Sequence, residues 1–429
     1  MTSQERREAL ANIIKKEEPT MTGISIMYRG ERRTFDAYKI PLRYLVYNQY
    51  NGRIGSAVKS YEKQHHPLDP DNPDDVKIIE KFLTESSDKA NKRTRQSLLE
   101  EQQQKYGIVT ADGQIIDGNR RACLLNSIWR DEKLPLSTRQ KAEYFIAVIL
   151  PENAEKKEIM RLETTYQMGE DAKVDYGPIE KYLKARDLSE VGFTNKEIAT
   201  FMGVTEKEVK DYLRTLKLMD EYLEVYNYSG IYTALDTRED SFLKLTSALD
   251  SYAAGNVTKM WDYHTKYDVS DLKLIAFDYI RLGLEQTAFR DIIRKPGKLS
   301  PDASIFANKE IWQEFSTRHL DYIQSLDEQP LEERIRNNPN EDLSRHIRAR
   351  DDAWRAKVKP ELEDNFNTAI EKLKNRQIAA EPSKLVAKAL DALNSVDTSI
   401  PSFVNDQSVR TYLENIKKKL SDFDRILNQ

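Results

Sequence analysis

The hydrophobic pattern changes period once along the chain, near residue 153, and that change constrains the fold more than any other feature. Upstream, short apolar and aromatic runs at 24–28, 34–38, 43–47, 107–110, 114–117 and 144–150 read as strands. Gly30, Pro41, the Asp112-Gly113 pair and Pro151 punctuate them. Helical stretches at 75–84, 92–106 and 118–129 lie between the strands. Downstream, apolar residues recur every three to four positions through 154–168, 179–185, 195–202, 206–217 and 243–252. This pattern predicts an α+β N-terminal domain followed by helices alone, so the chain is mostly α. The expected division is a polar leader over 1–23, the α+β domain over 24–151, a helix-turn-helix region over 152–220, a helical domain over 221–294, a linker at 295–301, and a helical C-terminal region over 302–429. With 15 Gly and 15 Pro in 429 residues, a turn-rich all-β fold is excluded.

Charge and cysteine usage narrow the function. Lys and Arg number 67 against 71 Asp and Glu, for a net charge of −4. A wholly basic nucleic-acid coat is ruled out, although a local basic groove is not. Cys123 stands alone, which excludes an internal disulfide and cysteine-rich structural zinc, and the five histidines are scattered. The N-terminus lacks an apolar signal core, and the run at 144–150 is far short of the ~20 residues that span a bilayer. The expectation is a cytoplasmic protein with no membrane contact.

The most informative stretch is 112–125, where a hairpin's second strand runs into a helix through Gly118. First-turn N–H groups lack backbone partners there, and the helix dipole places partial positive charge at the same point. Asn119, Arg120 and Arg121 follow directly. The expected product is an anion site suited to phosphate, with the two arginines pointing about 100° apart. The alternative is a plain helix start with solvated arginines.

A second stretch, 193–213, carries two capping boxes in series, Thr194 with Glu197 and Thr205 with Glu208, separated by a turn at Gly203. Ile198, Ala199, Val204, Val209 and Leu213 supply an apolar interior, so the topology is helix-turn-helix. In that reading the helix from Thr205 enters the major groove, with Lys207, Lys210 and Arg214 near DNA. Glu206, Glu208 and Asp211 on the same helix oppose this, and a packing hairpin is the alternative.

Taken in order, these stretches resemble the ParB partition-protein family, whose N-terminal domain has the ParB/sulfiredoxin fold. Asn48-Gln49-Tyr50-Asn51-Gly52-Arg53 is similar to the family's opening loop, and Gly118-Asn119-Arg120-Arg121 to its Gly-Glu-Arg-Arg phosphate motif. Leu162-Glu163-Thr164-Thr165-Tyr166-Gln167 is similar to its Glu-Asn-x-Gln-Arg segment, and Gly177-Pro178-Ile179-Glu180 to its Asn-Pro-Ile-Glu. The resemblance covers about residues 40–218. It implies a nucleoside triphosphate, CTP by analogy, bound with Mg²⁺ as a conformational switch in a DNA-binding homodimer. It places Arg53, Gly118, Asn119, Arg120 and Arg121 at the nucleotide and Glu163 at the metal. Asn119 stands where the family has glutamate, Cys123 where a third arginine is common, and Thr164 where it has asparagine. Peroxiredoxin repair is not expected, because Asn119 occupies the position of the sulfiredoxin cysteine and Cys123 reads as packing.

Two other functions fit the same residues. One is a metal-dependent nuclease or nucleotide-consuming phosphotransferase using Asp112, Asp117 and Glu163. In the competing view Asp112 makes the hairpin turn and Asp117 caps the helix. The other is a non-catalytic scaffold subunit of a phage-defence complex, whereas the ParB-like reading belongs to a plasmid, phage or defence context. Beyond residue 220, the aromatics Tyr226, Tyr228, Tyr232, Phe242, Tyr252, Trp261, Tyr263 and Tyr267 read as core. Arg334, Arg336, Arg345, Arg348 and Arg350 read as a solvated face. Stripes from Trp354 to Leu373 and from Val409 to Leu427 suit helix–helix pairing, within the chain or with protein partners.

Overall fold

The computed structural model describes residues 1–49, 51–152, 154–168, 176–253, 266–294, 303–339, 341–379, 382–399, 403 and 405–427. Tyr50, Trp261, Tyr263 and the linker at 295–301 lie outside them. The chain is mostly helical, with one five-stranded mixed sheet at its N-terminal end.

Helix α1 (Ser3–Lys16) opens on a capping box between Thr2 and Glu5. It is part of the α+β unit: Leu10 is fully buried, and the buried Arg6 pairs with Asp71 at 2.5 Å. Strands β1 (Met21–Tyr28) and β2 (Glu31–Pro41) form a hairpin across Arg29 and Gly30, both at positive φ, which suits the twist of a two-residue turn. The expected strand at 43–47 is instead a 3₁₀ turn over Leu42–Tyr44 and a single bridge from Val46 to Gln114. Pro41 ends β2 there, since it has no N–H to continue a ladder.

Helices α2 (Gly55–Glu62), α3 (Pro73–Glu85) and α4 (Asp88–Glu101) lead to β3 (Gly107–Val109) and β4 (Ile115–Asp117). Helix α5 (Asn119–Arg130), α6 (Leu136–Lys141) and β5 (Tyr144–Ile149) complete the unit. The strand order is β1-β2-β5-β3-β4, antiparallel except for the β3/β5 pair. One sheet face packs Ile40, Val109 and Phe145 against α1 to α5. The other packs Ile26, Ile108, Ile116 and Val148 against Leu162 of α7 (Lys156–Met168).

The helix-turn-helix topology is present. Helices α8 (Pro178–Glu190), α9 (Asn195–Met202) and α10 (Glu206–Val225) enclose Ala185, Leu188, Ile198, Ala199, Met202 and Val209. Both predicted capping boxes form, and Gly203 takes the left-handed conformation (φ 66°) that closes α9. Helix α10 runs through residue 220 without a break. Its second half joins a larger core with α11 (Glu239–Ala253), α12 (Lys266–Leu282), α13 (Gln286–Ile293), α14 (Lys309–Gln324), α15 (Leu331–Asn337) and the long α16 (Leu343–Ala379).

Tyr226, Tyr228, Tyr232 and Phe242 are buried in that core as expected, whereas Tyr267 is 82 % exposed. Arg350 departs from the expected solvated face. It is buried, donating to the Tyr226 carbonyl and pairing with Glu328 at 3.0 Å, because its neighbours supply enough acceptors to offset desolvation. The stripe Trp354, Val358, Leu362, Phe366 and Leu373 is buried. By contrast, α17 (Pro382–Asn394) and α18 (Gln407–Leu427) expose Val386, Leu390, Tyr412, Leu420 and Leu427. Among the described residues, no helix is long and apolar enough to cross a membrane.

Candidate functional site

Four segments distant in sequence meet beside the start of α5. Gly118 joins β4 to that helix at φ 103°, and a Cβ there would lie 2.5 Å from Phe145 Cζ. Both backbone and packing therefore demand glycine. As N-cap residue it has no side chain with which to cap the first turn of α5.

Asn119 turns inward. Its Oδ1 accepts the Asn48 N–H at 2.9 Å and its Nδ2 donates to the Ile115 carbonyl at 3.0 Å, binding the 48–53 loop to the start of α5. Arg120 and Arg121 diverge, as neighbouring helical residues must. The Arg121 guanidinium donates to the carbonyls of Lys105 and Tyr106 and pairs with Asp117 at 2.8 Å, so it is committed within the protein. Arg120 is buried, 9 % exposed.

The 48–53 loop reaches α7 through Gly52, whose N–H donates to Glu163 Oε1 at 3.3 Å. Arg53 lies over the Tyr176 ring at 5.6 Å, and its Nε is buried with no hydrogen-bond partner among the described residues. The Tyr176 hydroxyl donates to Gln167 Oε1 at 2.5 Å, and Gln167 Nε2 donates to the Ile116 carbonyl at 2.9 Å. Burial pushes the Tyr176 phenol far above its ordinary range, so it stays a donor. Glu163 Oε2 meets Lys184 Nζ of α8 at 2.9 Å, with both side chains 3 % exposed. On the same helix, Glu180 accepts from the Ser56 hydroxyl at 2.6 Å and Asp187 pairs with Lys59 at 3.0 Å.

The groups gathered here that could meet a phosphate are the start of α5, the buried Arg120, and Arg53, whose Nε has no hydrogen-bond partner among the described residues. Among the described residues, no group of three or more His, Cys, Asp or Glu could hold a metal ion. The carboxylate that the 48–53 loop contacts is Glu163, through the Gly52 N–H. That carboxylate is neutralised by Lys184.

The other candidate acids serve the fold. Asp112 Oδ2 accepts from the Ser3 hydroxyl at 2.9 Å, and its main-chain carbonyl accepts from Arg6 Nε at 2.8 Å. Burial would raise its carboxyl, but the Thr110 and Ser3 hydroxyls hold it below the usual range. Asp117 answers Arg121. Cys123 is a buried free thiol pushed up to about 12 by desolvation, as suits a packing residue.

On the helix-turn-helix, Lys210 pairs with Glu206 at 3.1 Å. Arg214 reaches Asp211 at 2.5 Å and Asp250 at 2.9 Å. Lys207 stands exposed on the first turn of α10. Two of the three candidate DNA-facing cations thus have acidic neighbours that a phosphate would have to displace.

Lys184, Gln167 and Tyr176 carry no local sequence signal as site residues. Their partners lie 21, 51 and 9 residues away, and only the fold assembles them. No protein-family model matches the chain, and no curated protein matches it significantly.

Proposed function

We propose that this chain is a ParB-like, nucleotide-dependent DNA-binding protein, in which the start of α5 receives a nucleoside triphosphate with Mg²⁺ and the helix-turn-helix on α8–α10 receives duplex DNA. The observation that carries the reading is the run of contacts that joins the start of α5 to the 48–53 loop, that loop to Glu163, and Glu163 to α8. First-turn amides and Arg120 bind phosphate oxygens, Arg53 Nε supplies a further donor, and Glu163 faces the metal. Mg²⁺ neutralises phosphate charge and fixes the triphosphate's conformation. CTP is the expected nucleotide by resemblance.

Self-association follows from α18. Val409, Leu413, Ile416, Leu420, Phe423 and Leu427 alternate by four and three residues, the seam of a coiled coil. In a parallel pair, Lys419 and Asp424 fall at flanking positions of opposite charge. A second copy of the chain supplies the other helix.

The test is fluorescence anisotropy of labelled duplex DNA, titrated with the full chain with and without CTP and Mg²⁺. The reading expects DNA affinity or dissociation rate to change at least tenfold with nucleotide, and the change to vanish in Lys207→Glu. Identical DNA isotherms in the presence and absence of every nucleoside triphosphate would contradict it.

A further inference from the structure

His346, in the first turn of α16, is 1 % exposed, and neither of its ring nitrogens has a hydrogen-bond partner among the described residues. A neutral imidazole carries one donor and one acceptor, and leaving both unmet in a buried position costs stability. Glu341 Oε2 stands 4.0 Å from its Nδ1. That is too long for a hydrogen bond between them, yet short enough for one donor atom to reach both at ordinary length. A carboxylate only accepts, so a group bridging it to an accepting ring nitrogen must bring at least two hydrogens of its own.

Both residues line one cleft of about 940 Å³, which lies between the α+β unit and the helical region. Helices α2 and α3 supply one wall, and α15 with the start of α16 supplies the other. The first wall carries an aromatic cluster: the Tyr61 ring centre is 4.4 Å from that of His65 and 6.1 Å from that of Phe82. Ile231 and Ile335 add apolar surface. Four carboxylates on the lining, Glu85, Glu332, Glu341 and Asp342, outnumber the two lysines, Lys63 and Lys81. Lys81 is already matched by Glu85 at 4.0 Å, and Asp342 accepts the Arg345 N–H at 3.0 Å. An aromatic face beside surplus negative charge attracts an organic cation and repels an anion.

We propose that this cleft binds a small organic cation, an amine or guanidinium on an apolar or aromatic stem. Its N–H groups bridge the Glu341 carboxylate and the His346 ring, and its stem lies on Tyr61 and Phe82. The buried imidazole is then satisfied by ligand where the protein leaves it unmet. Because the two walls belong to different parts of the fold, an occupied cleft ties α2 and α3 to α15 and α16. The site shares no residue with the junction at the start of α5 and stands whether or not that junction takes a nucleotide.

The probes are benzylamine, benzyl alcohol and benzoate, which share one ring and differ in charge. Binding to the full chain is read by ligand-observed NMR titration in mildly alkaline buffer, where benzylamine keeps its charge. Benzylamine is expected to bind at least about tenfold more tightly than benzyl alcohol, with benzoate weaker than either. Glu341 is half-exposed, so Glu341→Gln leaves the fold intact and brings benzylamine down to the level of benzyl alcohol. His346→Leu weakens benzylamine to a similar extent and melts no lower than wild type, since it loses no hydrogen bond to the described residues. Benzylamine also raises the melting temperature of wild type and leaves that of Glu341→Gln unmoved.

No binding of benzylamine at millimolar concentration, equal binding of the three probes, or benzylamine binding that survives Glu341→Gln overturns the proposal. Wild-type affinity in a folded His346→Leu protein overturns it as well, because the bridge then has no second end. Should His346→Leu fail to fold, the Glu341→Gln titration decides alone.

Discussion

Asn119 Oδ1 accepts the main-chain N–H of Asn48 at 2.9 Å, joining two segments 71 residues apart at the point where α5 begins. The same side chain donates to the Ile115 carbonyl, so one amide fixes both the loop that carries Arg53 and the strand that leads into Gly118. Asn119→Ala removes both bonds and strands a buried N–H. The expected cost is about 1–3 kcal/mol of stability, read from urea unfolding, with Asn119→Asp keeping only the bond from Asn48.

Gly118→Ala tests the start of α5 from the other side. The substitution meets a left-handed φ of 103° and a Cβ–Phe145 approach of 2.5 Å, so strain and overlap add. About 2–4 kcal/mol is expected in the unfolding midpoint. The companion variant Gly118→Ala/Phe145→Leu should recover the part that comes from overlap and keep the backbone part.

The centre of the helical region depends on Arg281, which is fully buried between the rings of Tyr226 and Trp354 at 4.6 and 4.5 Å. Its guanidinium pairs with Asp351 at 2.8 Å and with Glu328. Arg281→Met takes one of two cationic partners from each carboxylate, Asp351 keeping Arg238 and Glu328 keeping Arg350, and should cost about 3 kcal/mol, the low end for breaking a buried pair. Tryptophan fluorescence during denaturation reads the loss. Restoring neutrality in Arg281→Met/Asp351→Asn should return part of it.

The same cluster sets an acid limit. Burial pushes the Asp351 carboxyl up, but Arg281 and then Arg238 more than reverse that, leaving it below the usual carboxylate range. The contribution is therefore complete above the unfolded carboxylate value near 4 and is lost as pH falls through the lower folded value. Wild-type melting temperature should drop as pH goes below about 4. Asp351→Asn should start lower at neutral pH and lose less over that acid window.

Self-association is testable at α18, where Tyr412, Leu420 and Leu427 are 66, 50 and 82 % exposed in the single chain. Light scattering on the full chain should give twice the monomer mass. Leu413→Asp/Leu420→Asp should halve it while leaving the helical content of residues 1–379 intact.

What could be read from the sequence was local. Thr194 with Glu197 and Thr205 with Glu208 announce their helices, because a capping box closes within four residues, and Gly203 marks the turn between them. Asp112-Gly113 and Gly118 likewise placed the hairpin and the start of α5. What stayed hidden depends on charges buried against distant partners. Arg350 reads as part of a solvated face, and nothing local marks Arg281 or Lys184, since the acids that answer their charges come from other elements. The motif at 118–121 makes Arg121 a phosphate ligand, and only the return of the chain at Lys105 and Tyr106 brings carbonyls within its reach.

The most direct test of the α5 site is equilibrium retention of each labelled nucleoside triphosphate by the full chain in Mg²⁺, repeated with Arg120→Ala and Arg53→Ala. The account predicts saturable retention of one triphosphate per chain. Loss of either arginine should weaken it about ten- to a hundredfold, the weight of one charged phosphate contact. No retention of any triphosphate, or retention indifferent to both substitutions, would contradict it.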